Sequence, residues 1–262
     1  MVDDGAATGT LGKAIATLSL VCEAEAPLRF TDILERSGQP RGTLHRQLTH
    51  LVAEGLLDIG RDQLYAPGLR LLSLAASAWS RNEMRRLAEP HLQALNALTG
   101  ETVHLGVLRG SEIVYLDKVE GRQAIRMYSQ IGRASPVYCT GIGKVALSVL
   151  AAQARAVLLE RLDLRRFTQN THTDLAALVR EIEEIAQNGY GFDREEHEDG
   201  IHCVAAPIVS LDASLAGGVS VTAPSFRVAM AQMADWAPAV RDAGRAVSRD
   251  IAVRMSPRPA WG

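Results

Sequence analysis

The chain has 262 residues, enough for one large domain or two smaller ones, and 47% of them are hydrophobic, so a buried core is expected. The formal net charge is −2, so any basic surface that binds nucleic acid must be local. No apolar run reaches the roughly 18 residues of a membrane span, and residues 1–4 lack the pattern of a signal peptide. The widely spaced Cys22, Cys139 and Cys203 argue against a disulfide framework and favour the cytoplasm.

The first 55 residues predict three helices. Apolar residues at helical spacing from Leu11 to Cys22 indicate the first, and a second, short helix is expected from about Asp32 to Arg36. A tight turn at residues 37–40 leads to a third helix from about Arg41 to Glu54, with Gly55 as the residue that ends it. A short helix, a four-residue turn and a longer helix are typical of a helix-turn-helix.

The outer face of the third helix carries a local concentration of basic charge. Between Arg36 and His50 there are three arginines and no acidic residue. Arginine can pair with guanine or with phosphate, so we predict DNA contacts from this helix. The predicted contacts are Arg41, Thr43, His45, Arg46, Thr49 and His50. An exposed arginine is more often a solvated charge, however, and three short helices also occur in protein-interaction modules.

A β-hairpin is expected directly after the third helix. Two short apolar runs between Leu56 and Tyr65 flank the turn residues 60–62. A hairpin in this position is a wing, and Arg61 at its tip would reach a phosphate or the minor groove.

The sequence predicts a linker between two domains. A helix is expected from Leu69 to about Leu87, and Glu89–Pro90 is expected to start a second one. We therefore predict a winged helix-turn-helix domain at 8–67, a linker helix at 68–87 and an effector-binding domain at 88–254. The linker helix either packs against a partner chain or merely caps the second domain.

The second domain mixes strands and helices in clusters. Three β-like runs at 102–108, 112–118 and 124–130 predict an antiparallel meander. Two further strands are expected at 203–209 and 215–222. Helices are expected at about 141–150, 175–188 and 228–251. Because strands and helices do not alternate strictly, the fold class is α+β with an antiparallel sheet.

Three stretches resemble one known family, in the family's order: Ser37 to Leu48, Pro136 to Leu147 and Gly191 to Pro207. The chain is similar to the IclR (isocitrate lyase regulator) family of bacterial transcription regulators. The resemblance implies a winged helix-turn-helix that binds double-stranded operator DNA, a GAF-like domain that binds a small-molecule effector, and self-association into dimers or tetramers. The chain departs from the family pattern at three positions: Gly42 stands where Ser or Thr is more frequent, Tyr138 where His is common, and Ile142 where Ala is common.

The resemblance also implies an effector pocket. It places Gly141 and Ile142 at the pocket, with Met127 as a wall, and the following residues facing it: Asp193, Ile201, Cys203, Ser220 and Thr222. A helix that starts at Gly141–Gly143 would offer unsatisfied N–H groups to a carboxylate, so a small organic acid is the expected effector. Plainer interpretations stay open. Gly141 would be a tight turn, Cys203 a buried hydrophobe, and Ser220 and Thr222 would face solvent, since they alternate with valines.

The sequence gives little support for a phosphate-binding loop, a zinc site or a catalytic site. Gly143–Lys144 hints at a phosphate loop, but Tyr138 and Val145 replace the glycine and the hydroxyl residue that this loop requires. The set Cys139, His197, His202 and Cys203 lacks the paired spacing of a zinc site, and the acidic run 195–199 has no visible nucleophile beside it. We therefore expect no metal, cofactor, catalytic residue or membrane partner. Two alternatives to a DNA-binding regulator remain: an enzyme on a GAF-like domain, and a sensor that binds protein instead of DNA.

Overall fold

The computed structural model describes residues 9–123, 129–210 and 215–255. The chain divides into two compact units, one up to Asn82 and one from Glu83 onwards. None of the helices within the described ranges is long and apolar enough to cross a membrane.

The N-terminal unit is a winged helix-turn-helix, as predicted. Its elements are α1 (Gly9–Cys22), α2 (Phe30–Ser37), α3 (Arg41–Ala53), β1 (Leu57–Ile59), β2 (Tyr65–Pro67) and α4 (Arg70–Ser80). Ile33, Leu44, Leu48 and Leu57 have no exposed surface and form the centre of its core. Burial of these side chains, each contributing about 1.5–3 kcal/mol, is what holds helices this short in place.

Local capping sets the bounds of the helix-turn-helix. The Asp32 carboxylate accepts from the backbone N–H of Arg29 at 3.0 Å, so α2 begins two residues earlier than the sequence suggested. At the other end Gly38 has φ +60° and donates its N–H to the Leu34 carbonyl, which ends the helix. Pro40 directly precedes α3, where its missing N–H costs no hydrogen bond.

The C-terminal unit is an α+β domain around one antiparallel sheet, which confirms the predicted fold class. Its elements are α5 (Glu83–Thr99), β3 (Thr102–Arg109), β4 (Glu112–Val119), β5 (Ala134–Pro136), α6 (Gly141–Ser148), α7 (Ala152–Leu159), α8 (Leu175–Asn188), β6 (Gly191–Arg194), β7 (Ile201–Val209), β8 (Ala216–Pro224) and α9 (Met230–Met255). The strand order is β5-β4-β3-β8-β7-β6, and every neighbouring pair is antiparallel.

The two faces of this sheet differ in character. On one face Val103, Val204 and Val221 belong to an apolar core shared with α5 and α9. The opposite face of the sheet lies towards α6 and α8. There the strand register places Asp193 beside Cys203 and Cys203 beside Thr222, while Ser220 lies beside His104. Because side chains alternate along a strand, one sheet supplies both a core and a polar surface.

The connection between the units differs from the expectation. The helix break lies at Arg81–Asn82, between α4 and α5, and Pro90 lies inside α5. Asn82 stands immediately before α5, in the N-cap position that asparagine favours. The buried Ala88, Leu92 and Leu95 hold α5 against the domain core, which outweighs the hydrogen bond that a proline removes.

The sheet also differs in its third strand. Residues 124–128 of the expected run 124–130 lie outside the described residues, and Ser129 and Gln130 are not in a strand. The third strand of the meander is instead β5, three residues long and paired with β4. The sequence patterns also did not predict β6 and α7 as separate elements.

Candidate DNA-binding surface and ligand cavity

The outer face of α3 is exposed as its sequence pattern indicated. Arg41, His45, Arg46, Thr49 and His50 are exposed, and Thr43 is half-buried. The Arg41 guanidinium lies 5.0 Å from the centre of the Phe30 ring, a cation–π contact that orients the arginine at the start of the helix. The Thr49 hydroxyl donates to the His45 carbonyl at 2.9 Å, so it offers DNA only an acceptor.

The inner side of α3 fixes which face points outwards. Leu44 and Leu48 are fully buried, and Gln47 between them is 5% exposed. The Thr17 hydroxyl of α1 lies 3.0 Å from the Gln47 amide oxygen and joins the two helices. Rotation of α3 would break this contact and expose two leucines, so the basic face is held in one orientation.

The wing is short and tied back to the unit. Leu28 and Tyr65 exchange two backbone hydrogen bonds, at 3.0 and 2.8 Å, so the segment before α2 adds a third strand position to the hairpin. Gly60 donates its N–H to the Leu64 carbonyl at 2.9 Å and closes the turn. Arg61 is exposed at the tip of this turn.

A cavity of about 280 Å³ lies between the start of α6 and the polar face of the sheet. Seven of the eight residues proposed for the effector line it: Gly141, Ile142, Asp193, Ile201, Cys203, Ser220 and Thr222. The eighth, Met127, lies outside the described residues.

The first two residues of α6, Gly141 and Ile142, line this cavity. Thr140 caps the helix: its hydroxyl accepts from the Gly143 N–H at 3.2 Å and donates to the Pro136 carbonyl at 2.8 Å. The N–H groups of Gly141 and Ile142 have no acceptor within the helix. Because the Gly143 N–H is bound by Thr140, two of the three N–H groups expected at residues 141–143 remain for a ligand. A Cβ on Gly141 would lie 2.6 Å from the Cys203 sulfur, so this position requires glycine for close approach to β7.

The floor of the cavity is a buried polar row on β7, β8 and β3. Ser220 and Thr222 are 2% and 8% exposed, so the interpretation that they face solvent is wrong. The Thr222 hydroxyl lies 3.3 Å from His104 Nδ1, and Ser129 Oγ lies 2.6 Å from His104 Nε2. Burial, reinforced by Lys118, lowers the pKa of His104 to about 3, so its imidazole is neutral at pH 7.

Asp193 and Cys203 stand side by side in this row. One Asp193 carboxylate oxygen accepts from the Glu196 N–H at 2.7 Å. Burial, reinforced by the charge of Glu196 and partly offset by Lys144, raises the pKa of Asp193 to about 7. Burial and the neighbouring Asp193 raise the pKa of Cys203 to about 12, so it is a thiol at pH 7 and a poor nucleophile.

Several lining residues were not identified from the sequence. These are His104, Tyr115, Ser129, Gln130, Arg133, Ala134, Ser135, Thr140, His197 and Glu198. A polar side chain within the apolar run 103–107 was the available signal for His104. Gln130, Arg133 and His197, at the rim of the cavity, lie on irregular segments. Such segments have no periodicity that would show which way a side chain points.

Lys144 does not face a phosphate. It is fully buried, and its ammonium lies 2.6 Å from a Glu196 oxygen and 2.9 Å from a Glu181 oxygen. Hydrogen bonds from His172 and Lys144 lower the pKa of Glu181 to about 2, although burial alone raises it. The residue that suggested a phosphate loop therefore forms ion pairs with two acids inside the domain.

A metal-like arrangement occurs at the same cluster. Within the described parts of the chain, one group of possible ligands converges, and its members are His172, Glu181 and Glu196. The Lys144 ammonium already contacts both carboxylates, so a divalent cation there would face a buried positive charge. The set suggested by the sequence, Cys139, His197, His202 and Cys203, does not form such a group.

Comparisons with known proteins cover both units. The IclR helix-turn-helix domain matches residues 10–58, and the C-terminal domain of the bacterial transcriptional regulator IclR matches residues 76–249. The latter alone spans more than half of the chain.

Similar proteins agree along nearly the full length. The chain is 34% identical over 240 residues to the HTH-type transcriptional regulator XynR of Escherichia coli, covering 91% of this chain and 95% of XynR. It is 31% identical over 228 residues to KdgR of the same organism, covering 87% of each. The crystal structure of the Thermotoga maritima IclR superposes with a TM-score of 0.72 at 30% identity, covering 92% of this chain and 98% of that one. These relatives are regulators and not enzymes, so the chain is a DNA-binding transcription regulator and belongs to the IclR family.

Proposed function

We propose that α3 enters the major groove of an operator and that Arg41 and Arg46 make its principal contacts. Thr43, His45, Thr49 and His50 lie on the same side of the helix and would add polar contacts, while Arg61 of the wing would bind the phosphate backbone. The observation that carries this proposal is the basic face of α3, exposed and fixed in orientation by Gln47 and the buried leucines. Arginine at a recognition helix pairs bidentately with guanine, or with phosphate at the helix start.

The test is an arginine scan on the full chain. Arg46→Ala is expected to weaken specific binding by about 1–3 kcal/mol, because a bidentate base contact is worth that much. The measurement is fluorescence anisotropy at several salt concentrations, with the promoter region beside the regulator's own gene as the DNA. Arg61→Ala should weaken specific and non-specific DNA about equally, as a phosphate contact does.

Arg161→Ala is the matched control, since Arg161 is an exposed arginine in the other unit. It should leave operator affinity unchanged. Full affinity in the double variant Arg41→Ala, Arg46→Ala would remove α3 from the proposed interface.

The effector, we propose, is a small organic acid bound in the cavity beside α6. Two free amides at a helix start favour a carboxylate, and Ser220 and Thr222 offer buried hydroxyls to it. Ile142 and Ile201 supply apolar walls for the rest of the molecule. Binding regulates transcription only if affinity differs between the DNA-competent and incompetent states.

Removal of the two hydroxyls tests this site. A ligand would first be identified by thermal shift, since a compound that binds only the folded state raises the melting temperature. Ser220→Ala with Thr222→Val preserves shape but removes two hydrogen-bonding groups, so operator affinity should remain and its response to the ligand should fall. Ser248→Ala, which removes a half-buried hydroxyl from α9, should respond like the parent chain. A normal response in the double variant would move the site elsewhere.

The regulator is further proposed to act in the cytoplasm as a dimer or tetramer formed through α4. Leu69 and Leu72 are 76% and 67% exposed, and with Ala76 and Trp79 they form one stripe. A two-fold symmetric reader contacts two half-sites about one helical turn, or a multiple, apart. We therefore expect a near-palindromic operator.

A further inference from the structure

The cavity contains a buried carboxyl group close to the place where an anion would bind. Asp193 is 6% exposed and lies beside Cys203 in the sheet register. Gly141, at the start of α6, approaches the Cys203 sulfur so closely that a Cβ would lie 2.6 Å from it. Asp193 and the free amides of α6 thus lie on two sides of one small cysteine side chain.

No cation within the described ranges pairs with Asp193. The nearest buried ammonium, that of Lys144, is held by Glu196 and Glu181. The titratable and charged groups around Asp193 are Glu196, His197 and Glu198 in the turn after β6, Cys203 on β7, Cys139 and Lys144 around the start of α6, Tyr115 on β4, Arg133 just before β5 and His104 on β3. His104 is neutral, Lys144 is already paired and the Arg133 side chain is exposed to solvent, so these neighbours leave a charge on Asp193 poorly compensated.

We propose that an effector carboxylate binds this cavity together with one proton, which Asp193 takes up from solvent, so that Asp193 is a neutral hydrogen-bond donor in the complex. The proposal rests on the carboxylate site proposed above and specifies its chemistry. An Asp193 that stayed ionised would instead repel the carboxylate and select a hydroxyl or amine at that end of the ligand.

When two carboxylates share a largely buried site, the charge of one raises the pKa of the other, and the proton that they share belongs to the pair. Because the pKa of Asp193 is raised to about 7, a small further rise, caused by a bound anion, leaves it fully protonated at pH 7. Below pH 7 Asp193 already carries the proton, so affinity for an anion is constant there. Above pH 7 a proton must be taken up, so affinity falls by up to tenfold for each pH unit.

The test uses benzoate as a monocarboxylate with an apolar body, and benzamide as its neutral counterpart. Calorimetry of the full chain at about pH 8, in two buffers of different ionisation enthalpy, should give uptake of nearly one proton per bound benzoate. Benzamide should bind without uptake. The affinity of benzoate should fall roughly tenfold per unit above pH 7, whereas that of benzamide should not change.

Two variants test whether Asp193 itself is the group that takes up the proton. Asp193→Asn keeps the acceptor for the Glu196 amide and is permanently neutral, so it should bind benzoate without proton uptake and without pH dependence above 7. Glu184→Gln removes an exposed carboxylate of α8 that does not line the cavity and is the control, expected to retain the uptake. Benzoate binding to the parent chain at pH 8 without proton uptake would overturn the proposal.

A measurement without ligand keeps the proposal testable if a variant fails to fold or benzoate does not bind. The infrared C=O band of a protonated carboxyl should persist in the parent chain up to about pH 7 and titrate there. If all carboxyl bands of the ligand-free chain disappear below about pH 5, the proposal is overturned. Lack of benzoate binding at any pH would count against the carboxylate site itself, while the α3 arginine scan would be unaffected.

Discussion

Lys144 places a positive charge where no water reaches it, and its two carboxylate partners depend on that charge. Lys144→Met keeps the volume but removes the buried counter-charge of Glu196 and leaves Glu181 with only Arg194 and His172 as partners, so we expect a loss of about 3–5 kcal/mol in the free energy of unfolding. Urea denaturation at pH 7 measures this loss.

Arg194→Ala is the comparison for Lys144→Met. Arg194 also pairs with Glu181, but its side chain is 52% exposed, so its loss should cost less than about 1 kcal/mol. Equal costs for the two variants would show that burial does not set the value of the Lys144 contacts.

At single positions the sequence showed which residues are unusual but not which residues they contact. Gly143–Lys144 stood out, but Glu181 and Glu196 are 37 and 52 residues away, and no local spacing pairs them with a lysine. Tyr138, where the family pattern commonly has His, donates its hydroxyl to the Arg165 carbonyl at 2.7 Å instead of lining the cavity. Such partners are brought together by the fold, so only the structure could supply them.

At the scale of elements, periodic segments were predictable and irregular ones were not. The stripe on α3 and the alternation of valine with Ser220 and Thr222 on β8 follow directly from the 3.6- and 2-residue repeats. The rim of the cavity was missed because Gln130, Arg133 and His197 lie on segments without such a repeat. The break at Arg81–Asn82 was misplaced because tertiary packing retains Pro90 inside α5.

The contact between α6 and β7 also decides which experiment is informative. Gly141→Leu would appear to fill the cavity and give a regulator that no longer responds to its effector. Its Cβ would first collide with the Cys203 sulfur, however, and the variant would disturb the packing of α6. The hydroxyl substitutions on β8 avoid this collision and are the better probe.

At the scale of the whole molecule, α4 is the expected contact between chains. Leu72→Glu should reduce self-association by placing a charge within the stripe, and light scattering at micromolar concentration measures the molar mass. Operator affinity should fall with it, because one chain contacts only one half-site.

Ser77→Glu adds the same charge on a different side of α4 and should leave the assembly intact. A parent chain that is monomeric at this concentration and still binds one half-site tightly would contradict the proposed assembly.

The alternation of side chains in the C-terminal sheet has a consequence for how such a regulator acquires new signals. Ser220 and Thr222 line the cavity, while Val219 and Val221, which alternate with them, belong to the core. If the cavity is the effector site proposed above, a substitution at a cavity position alters which ligand the chain binds and leaves the core unchanged. Ligand preference is therefore free to diversify among descendants of one ancestor while their shared architecture persists.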